Sequence, residues 1–424
     1  MTRLLEEYSP YPKYKECSIH GLSVIPSDWN ELPLFSICKI QSVVNQTDKE
    51  LLSVYLRQGV IKFSDVKEKR TNVTSLDLSK YQLVKVGNFV LNNQQAWRGS
   101  VGVSVHEGIV SPAYLVLELS KVVDPLFANY LFRDSVMVGQ YLASSKGVGT
   151  IQRNLYWPQL KRKRAALPPV EDQKAISHFL DDKTEKIERA IAIKEKQIEF
   201  LRERKQILIQ NAVTRGLNLD VKMKDSGVDW IGEIPAHWTV KKLKHVSDAI
   251  SEKVPSASSN LSYIGMENIA SFSGKYVKSD SEVDGLANAF EVNDVLFGKL
   301  RPYLAKVFLA ETRGICSTEF LILRTGKVNV YFLSCLLRSK RFIELVNSST
   351  YGSKMPRANS NFIRGQFVPV PPKTEQEDIS KSLLLIQETA SNLIDITNQQ
   401  IQHLKEYKAS LINSAVTGKI KVPA

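Results

Sequence analysis

The sequence is poor in the residues that build metal and redox sites. Its 424 residues include four cysteines and six histidines. There is no Cys-x-x-Cys pair, and no two histidines have the His-x-x-x-His or His-Glu-x-x-His spacing, so no zinc site is readable. Cysteines this far apart in the chain favour reduced thiols, the usual state in the cytosol.

Long apolar runs are also missing. No segment approaches the ~20 apolar residues that a membrane span requires. The stretch from Met1 to Pro10 contains Glu6 and Glu7 where a secretory signal would have an apolar core. We therefore expect a cytoplasmic protein that has no membrane partner.

Recognisable catalytic motifs are absent as well. The glycines form neither a G-x-x-x-x-G-K-[ST] phosphate loop nor a G-x-G-x-x-G dinucleotide fingerprint, and no Asn/Asp-Pro-Pro-Tyr/Phe motif of amino-methyltransferases occurs. Asp172-x-Lys174 resembles a nuclease D/E-x-K, but it falls at the predicted start of a helix, where acids are common because of the helix dipole. The sequence favours a non-catalytic protein, with a self-contained nuclease as the alternative.

Basic residues, in contrast, are in excess. The formal net charge is +13 and the sequence pI is about 9.3. A pI above ~9 is typical of proteins that bind nucleic acids. A soluble basic protein without such a partner remains the alternative at this stage.

One stretch of about fifty residues occurs twice. The first copy runs from Leu167-Pro168-Pro169 to Ala212-Val213-Thr214, and the second begins 203 residues later at Val370-Pro371-Pro372. Each copy has a Gln shortly after its prolines, and then a heptad pattern of apolar residues. Because proline fits the first turn of a helix, each copy predicts a helix that begins just after Pro-Pro.

The heptad pattern gives each helix a narrow apolar seam. About 37 helical residues make a rod of roughly 55 Å. The nearest partner for one seam is the other copy, which predicts an antiparallel coiled coil; packing of each helix on its own domain is the alternative. A lysine interrupts both seams, at Lys205 and Lys408. The predicted seam residues are Leu180, Ile187, Ile191, Ile198, Leu201, Leu208 and Ala212 in the first copy, and Leu383, Ile394, Ile401, Leu404, Leu411 and Ala415 in the second.

A second duplicated motif, which we call the border motif, lies where each globular domain begins. Ile25-Pro26-x-x-Trp29 opens a first globular domain, and Ile234-Pro235-x-x-Trp238 opens a second one 209 residues later. The predicted class is α+β, with two α/β domains, two long paired helices and a pseudo-two-fold tandem repeat. The predicted boundaries are 1–166 for the first domain, 167–217 for the central helix, 218–370 for the second domain and 371–424 for the C-terminal helix.

Local patterns predict the elements of the first domain. Leu51 to Leu56 and Phe89 to Leu91 are typical of strands, and Gly108 to Leu117 of a loop that enters a strand. A helix is predicted from Asp124 to Leu142, followed by a glycine loop from Ser144 to Thr150.

Candidate binding residues are basic, amide and aromatic side chains in loops after strands. Glutamine and asparagine pair with adenine, arginine with guanine, and lysine or arginine with phosphate. The alternative is that Trp97 and Tyr303 are core residues and that their polar neighbours form turns. The predicted DNA-binding residues are Gln94, Gln95, Arg98, Lys146, Arg153, Lys161, Arg162, Asn268, Lys299, Arg301, Lys354 and Arg357.

Taken in order, these motifs resemble the specificity subunit of type I restriction–modification systems. The resemblance covers essentially the whole chain. The resemblance rests on the two Ile-Pro-x-x-Trp motifs, on Ala96-Trp97-Arg98-Gly99, on Leu296-Phe297-Gly298-Lys299-Leu300-Arg301-Pro302 and on the two Pro-Pro helices that end in Ala-Val-Thr. The first border departs from the pattern, because Cys17-Ser18-Ile19 stands where the second has Asp225-Ser226-Gly227.

This resemblance implies different roles for the globular domains and the long helices. The two domains would be target-recognition domains that each read half of a bipartite site in double-stranded DNA, and the helices would set the spacer and dock methyltransferase subunits, two of them in our prediction. Restriction and translocase subunits would join through the complex. The resemblance implies no cofactor on this chain, while partners would use S-adenosylmethionine, ATP and Mg²⁺. A coiled-coil scaffold with protein-binding ends remains a further alternative.

Overall fold

The fold is described from a computed structural model. The structure describes residues 8–56, 58–66, 77–147, 153–218, 220–256, 260–279, 285–352 and 354–423. The chain divides into two compact units, Met1–Ile193 with Gln400–Ala424 (unit 1) and Lys194–Gln399 (unit 2). Each unit therefore contains one globular domain and a part of each long helix.

Unit 1 is built from short strands and helices that lead into the first long helix. In chain order its elements are β1 (Tyr14–Glu16), β2 (Val24–Pro26), β3 (Asn30–Pro33), α1 (Leu34–Ile37), β4 (Cys38–Ile40), β5 (Leu52–Tyr55), β6 (Gly59–Lys62), β7 (Gln82–Val84), β8 (Phe89–Asn92), β9 (Val101–Val103), β10 (Gly108–Val110), β11 (Tyr114–Leu119), α2 (Pro125–Arg133), α3 (Ser135–Ala143), β12 (Ser145–Lys146), β13 (Asn154–Leu155), α4 (Trp157–Leu160), β14 (Arg164–Leu167) and α5 (Val170–Arg215), which continues into unit 2.

Unit 2 repeats this order with one exception. Its elements are β15 (Met223–Asp225), β16 (Glu233–Pro235), β17 (Thr239–Lys242), α6 (Leu243–Val246), β18 (Asp248–Ile250), β19 (Glu252–Pro255), β20 (Tyr263–Ile264), β21 (Leu286–Phe290), β22 (Val295–Gly298), β23 (Val307–Leu309), β24 (Gly314–Ser317), β25 (Phe320–Arg324), α7 (Val330–Arg338), α8 (Lys340–Ser348), α9 (Ser360–Gly365), β26 (Phe367–Val370) and α10 (Lys373–Val416), whose end belongs to unit 1. The described residues between α8 and α9 form no strand pair like β12 and β13.

The two units have the same central sheet. In unit 1 the strand order is β4-β11-β8-β9, and in unit 2 it is β18-β25-β22-β23. The neighbouring strands pair antiparallel in both sheets. The third strand of each unit also pairs with the last strand of its globular domain, β3 with β14 and β17 with β26. The predicted duplication is thus present in the topology as well as in the sequence.

The border motifs lie in the cores of the two units. Trp29 and Trp238 are fully buried and belong to the main hydrophobic core of unit 1 and unit 2, respectively. Burial of an aromatic residue of this size is a dominant favourable term in folding. The Ile-Pro-x-x-Trp motif therefore marks a structural anchor.

A buried glutamine fixes the start of α5. The Gln173 side chain accepts a hydrogen bond from the Asp124 N–H (2.8 Å), and its amide donates to the carbonyls of Val122 and Pro168, both at 2.9 Å. Asp124 also caps α2, because its carboxylate accepts from the Phe127 N–H. One side chain thus joins the starts of two helices.

The start of α10 is fixed in the same way. Gln376 accepts from the Asn329 N–H (2.6 Å) and donates to the Pro371 carbonyl (2.8 Å). Asn329 is the cap of α7, as Asp124 is the cap of α2. The glutamine that follows Pro-Pro in the sequence therefore has one structural role in both units.

The long helices extend further than predicted, with 46 residues in α5 and 44 in α10. In unit 1 the start of α5, with Leu180 and Ile187, shares a core with Leu411 and Ala415 of α10. In unit 2 the end of α5 shares a core with Leu383 of α10. The seam residues therefore do contribute to the two cores.

Two details of the prediction were wrong. Leu208 is 39% exposed, and its neighbour Ile209 is buried instead. The stretch 124–142 forms two helices, because Asp134 has an extended backbone (ψ 154°) and caps α3 by accepting from the Val136 N–H. In the predicted glycine loop, residues 148–150 lie outside the described part of the chain.

Candidate nucleic-acid interface

In unit 1 the candidate residues follow strand β8. The Asn92 side chain accepts from the Gln94 N–H (3.1 Å) and turns the chain. A short 3₁₀ turn then ends at Gly99, whose φ of 92° lies in the left-handed region that favours glycine. Gln94 and Arg98 are exposed on this loop, while Gln95 is half-buried.

Two arginines lie over the ring of Trp97. Its indole N–H donates to the Gln94 carbonyl (3.0 Å), and the ring is half-buried. The guanidinium carbon of Arg98 lies 4.8 Å from the ring centroid, and that of Arg153 lies 5.7 Å away. Both distances suit cation–π attraction, so residues more than fifty positions apart in the sequence share one aromatic surface.

The segment after α3 is joined to this loop by its backbone. The Leu155 N–H donates to the Asn93 carbonyl (2.9 Å). In the adjacent hairpin of β12 and β13, the ammonium of Lys146 lies 4.5 Å from the ring centroid of Tyr156. The structure therefore brings Gln94, Arg98 and Arg153 together, with Lys146 on the hairpin next to them.

In unit 2 the corresponding loop follows strand β22. The Lys299 N–H donates to the Glu319 carbonyl (2.9 Å), and the Ala358 N–H donates to the Lys299 carbonyl (3.0 Å). The second bond matches the one between Leu155 and Asn93 in unit 1. In both units, the loop after the same central strand is therefore fastened to the segment that precedes the last strand of the domain.

The two loops differ in charge, because in unit 2 the carboxylate of Glu319 lies among the cations. The Arg357 guanidinium contacts the Glu319 carboxylate at 2.5 Å. Burial lowers the pKa of Lys299 and the Arg357 charge lowers it further, while Glu319 opposes the shift. Glu319 thus balances part of the positive charge in this loop.

Exposed side chains complete the unit 2 surface. Arg301 is exposed, has φ 50°, and is held in place by a hydrogen bond from its N–H to the Pro356 carbonyl (2.7 Å). Lys354 is exposed on the facing segment, where Tyr351 and Met355 are 62% and 60% exposed. These cations and large apolar groups form a surface of mixed character.

Three predicted residues lie elsewhere. Lys161 and Arg162 form the turn between α4 and β14, where the Lys161 carbonyl accepts from the Phe35 N–H. Asn268 is only 2% exposed. Its oxygen accepts from the Gly265 N–H and its amide donates to the Val277 carbonyl, so it holds a turn in this conformation.

The sequence did not single out Tyr156, Tyr351, Met355 or Glu319. The first three are aromatic or apolar residues next to predicted cations in loops, and that pairing is a usable signal. Glu319 lies 38 residues before Arg357 in the chain, so nothing in the local sequence indicates their contact.

Other chemistry is sparse in the described residues. Across the ranges that the structure describes, no group of three or more His, Cys, Asp and Glu side chains is placed to hold a metal ion. Burial raises the pKa of the Cys38 and Cys316 thiols to about 12, which keeps them protonated at neutral pH. No helix within the described segments is both long and apolar enough to cross a bilayer.

Comparisons with known proteins agree on one family. The type I restriction modification DNA specificity domain matches residues 235–406. Over 99% of this chain and 98% of the relative, the sequence is 26% identical to the type I restriction enzyme MjaVIII specificity subunit of Methanocaldococcus jannaschii.

Two solved structures share the fold. One comes from work on complex assembly and conformational transition of the type I R-M system (TM-score 0.70, 15% identity, 93% of this chain and 99% of that chain). The other is the HsdS subunit of Thermoanaerobacter tengcongensis (TM-score 0.57, 15% identity, 95% and 100% covered). The duplicated border motifs, the matched specificity domain and these relatives make the chain similar, over nearly its whole length, to type I restriction–modification specificity subunits.

Proposed function

We propose that this chain is the sequence-specific DNA-binding subunit of a type I restriction–modification complex. Each globular domain reads one half of a bipartite DNA site. The observation that carries this proposal is the matched pair of loops after β8 and β22. In both units a backbone hydrogen bond joins this loop to the segment before the last strand of the domain, but the side chains of the two loops differ.

The side chains of these loops fit the grooves and backbone of DNA. Gln94 and Arg98 in unit 1 and Arg301 in unit 2 are exposed and have the functional groups that pair with base edges. Arg153, Lys146 and Lys354 supply charge for phosphates. Asn268 is left out of this interface, because its amide is committed within the fold.

The long helices act as the spacer in this proposal. At 1.5 Å per residue, helices of 46 and 44 residues would be about 69 Å and 66 Å long. The shared cores of α5 and α10 within each unit support their pairing as an antiparallel coiled coil. Two methyltransferase subunits dock on these helices, and the chain itself performs no chemistry. Its partners supply S-adenosylmethionine, ATP and Mg²⁺ chemistry in the cytoplasm.

A domain exchange tests the proposal. Residues 25–160 are replaced by the corresponding region of another specificity subunit, and the modified sites are mapped by sequencing DNA from cells that contain the complete system. We expect one half-site to change and the other half-site and the spacer to stay the same. A change in both half-sites would refute the assignment of one half-site to each domain.

Single substitutions make the test finer. Arg98→Ala and Arg301→Ala should each relax recognition in one half-site, at a cost of about 1–3 kcal/mol for the preferred base pair. The double variant Lys161→Ala with Arg162→Ala is the control, since it should weaken binding to all sequences alike and flatten the salt dependence.

A further inference from the structure

Unit 2 contains a basic cleft beside the end of α5. Its volume is about 900 Å³, and it is lined by α5, by the loop Ser271–Ser273, by the first residues of α8 and by Ile394 of α10. Four of its lining residues are cations, namely Arg202, Lys205, Lys340 and Arg341; Glu203 also lines it. This volume is within the range of small-molecule sites.

The start of α8 in this cleft is not capped by a side chain. Ser339 occupies the cap position and is fully buried, but its hydroxyl forms no cap hydrogen bond and has no partner among the described residues. The Arg341 N–H donates to the Gln210 side-chain oxygen (3.2 Å). The Gln210 amide nitrogen is buried, and within the described ranges it has no acceptor. Two polar groups at this helix start therefore lack partners.

Unit 1 satisfies the equivalent groups with a carboxylate. Asp134 occupies the position of Ser339 and accepts from the Val136 N–H of α3 at 2.9 Å. The amide of Asn413, the counterpart of Gln210, donates to both Asp134 oxygens at 3.1 and 3.0 Å. An anion thus fills this position in unit 1. In unit 2 the N–H that corresponds to that of Val136 donates to the Gln210 oxygen instead, and the Gln210 amide nitrogen has no described acceptor.

A second acid is also replaced in unit 2. In unit 1 the seam residue Lys408 pairs with Glu188. Its counterpart Lys205 has Ser391 in the corresponding position, and no described carboxylate forms an ion pair with it. Burial lowers the pKa of Lys205, and the charges of Arg338 and Lys275 lower it further. Lys340 lies 4.0 Å from the Glu344 carboxylate of the same helix, but the cleft still has more cations than acids.

Cations are added where the acids are lost. Lys340 and Arg341 stand where unit 1 has Ser135 and Val136, at the first two positions of the helix. We propose that this cleft binds a phosphate group, which occupies the place that the Asp134 carboxylate has in unit 1. A helix start, an unpaired amide and several cations match the oxygens and the charge of a phosphate better than those of a single carboxylate.

The phosphate has two possible sources, a DNA backbone and a free phosphate compound such as a nucleotide. The proposal does not depend on the DNA-reading function, because either source uses the same donors. The test therefore begins with pyrophosphate as the probe and then examines DNA.

Thermal unfolding and calorimetric titration of the full-length chain test the cleft. We expect pyrophosphate to raise the Tm more than NaCl at equal ionic strength. The double variant Lys340→Ser with Arg341→Val carries the unit 1 residues, and we expect it to weaken pyrophosphate binding at least about tenfold. Lys241→Ser with Lys244→Val removes the same charge from another exposed part of unit 2 and should retain binding.

A second variant separates anion binding from general stability. Ser339→Asp supplies the unit 1 carboxylate, so it should raise the Tm without pyrophosphate and abolish the response to it. The proposal is refuted if pyrophosphate does not raise the Tm more than NaCl does. It is also refuted if Lys340→Ser with Arg341→Val (the cleft variant) responds to pyrophosphate as strongly as Lys241→Ser with Lys244→Val (the control pair).

DNA titrations identify the source of the phosphate. If a backbone phosphate enters the cleft, the cleft variant should lower the salt slope of duplex binding by about 1 relative to the control pair. If the salt slope is unchanged and the pyrophosphate response is lost, the ligand is a free phosphate compound. A cleft variant that keeps its pyrophosphate response but fails to assemble with the methyltransferase would point to an acidic protein segment, which also contradicts the proposal.

Discussion

The two units share their backbone supports and differ in how they handle charge. Gln173 and Gln376 fasten the long helices in the same way, and the central sheets have the same strand order. At the start of the third helix of each unit, however, Asp134 is replaced by Ser339. The duplicated parts are those that satisfy buried backbone groups, and side-chain charge has diverged around them.

The largest predicted effect tests the shared support. Gln173→Ala leaves the Asp124 N–H and the Val122 and Pro168 carbonyls without their partner, and it should lower the free energy of unfolding of unit 1 by about 2–3 kcal/mol. Gln376→Ala breaks fewer bonds, so about 2 kcal/mol is expected in unit 2. Denaturant unfolding measures the cost, and hydrogen exchange assigns it to a unit.

Gln402→Ala provides the control for these two variants. Gln402 lies on the exposed face of α10, and its side-chain amide donates to the Glu406 carboxylate of the same helix (2.8 Å). Its replacement should change stability by less than about 0.5 kcal/mol. Equal effects of all three substitutions would contradict the structural role of the two buried glutamines.

The repeat, the two borders and the starts of the long helices were predictable from the sequence. Their signals are local, because Pro-Pro fixes where a helix begins and Ile-Pro-x-x-Trp ends in a residue too large to leave exposed. Trp29 and Trp238 are indeed fully buried. Such features depend on single residues whose physical preference is strong in any context.

Other features were not predictable, for identifiable reasons. A straight helix drifts from a seven-residue repeat, and the end of α5 packs against Trp230 and Trp238 of the second domain, so Ile209 is buried in place of Leu208. Asn268 has the same side chain whether it reads a base or holds a turn. The division at Asp134 depends on one residue in an extended conformation within an otherwise helical pattern.

The next prediction concerns a buried charge that only unit 2 has. Asp294 accepts two hydrogen bonds from Arg324, at 2.8 and 2.7 Å, and its side chain is 1% exposed. Unit 1 has the neutral Asn88 at this turn and Glu118 in place of the arginine. Arg324→Ala should therefore destabilise unit 2 by about 2–3 kcal/mol, because it leaves the carboxylate without its charged partner.

The unit 1 residues supply the matched comparison for this pair. Glu118→Ala should cost less than about 0.5 kcal/mol. The double variant Asp294→Asn with Arg324→Ala should recover most of the lost stability in denaturant unfolding, since the charge is then absent. A double variant as unstable as Arg324→Ala alone would show that the arginine contributes by its packing and not by its charge.

The smallest predicted effect is a pH dependence that only unit 1 should show. Glu31 lies on β3 and accepts from the Ser18 N–H (3.2 Å), with Arg164 at 3.7 Å, whereas unit 2 has Val240 at this position. Burial favours a higher pKa for Glu31, but the bonds from Ser18 and the charge of Arg164 outweigh it and hold the pKa below its ordinary value of 4.5.

A lowered pKa in the folded state adds stability above the unfolded value, and that stability is lost as the pH falls through the folded value. We expect Glu31→Gln to destabilise unit 1 by less than about 1 kcal/mol near neutral pH. The difference from the parent chain should shrink as the pH falls below 4.5 and vanish once the pH is below the pKa of Glu31 in the folded state. Hydrogen exchange of the β3–β14 pair measures it, and the β17–β26 pair should respond equally in both chains. A difference that persists at low pH would mean that Glu31 stabilises unit 1 through its shape and not through its charge.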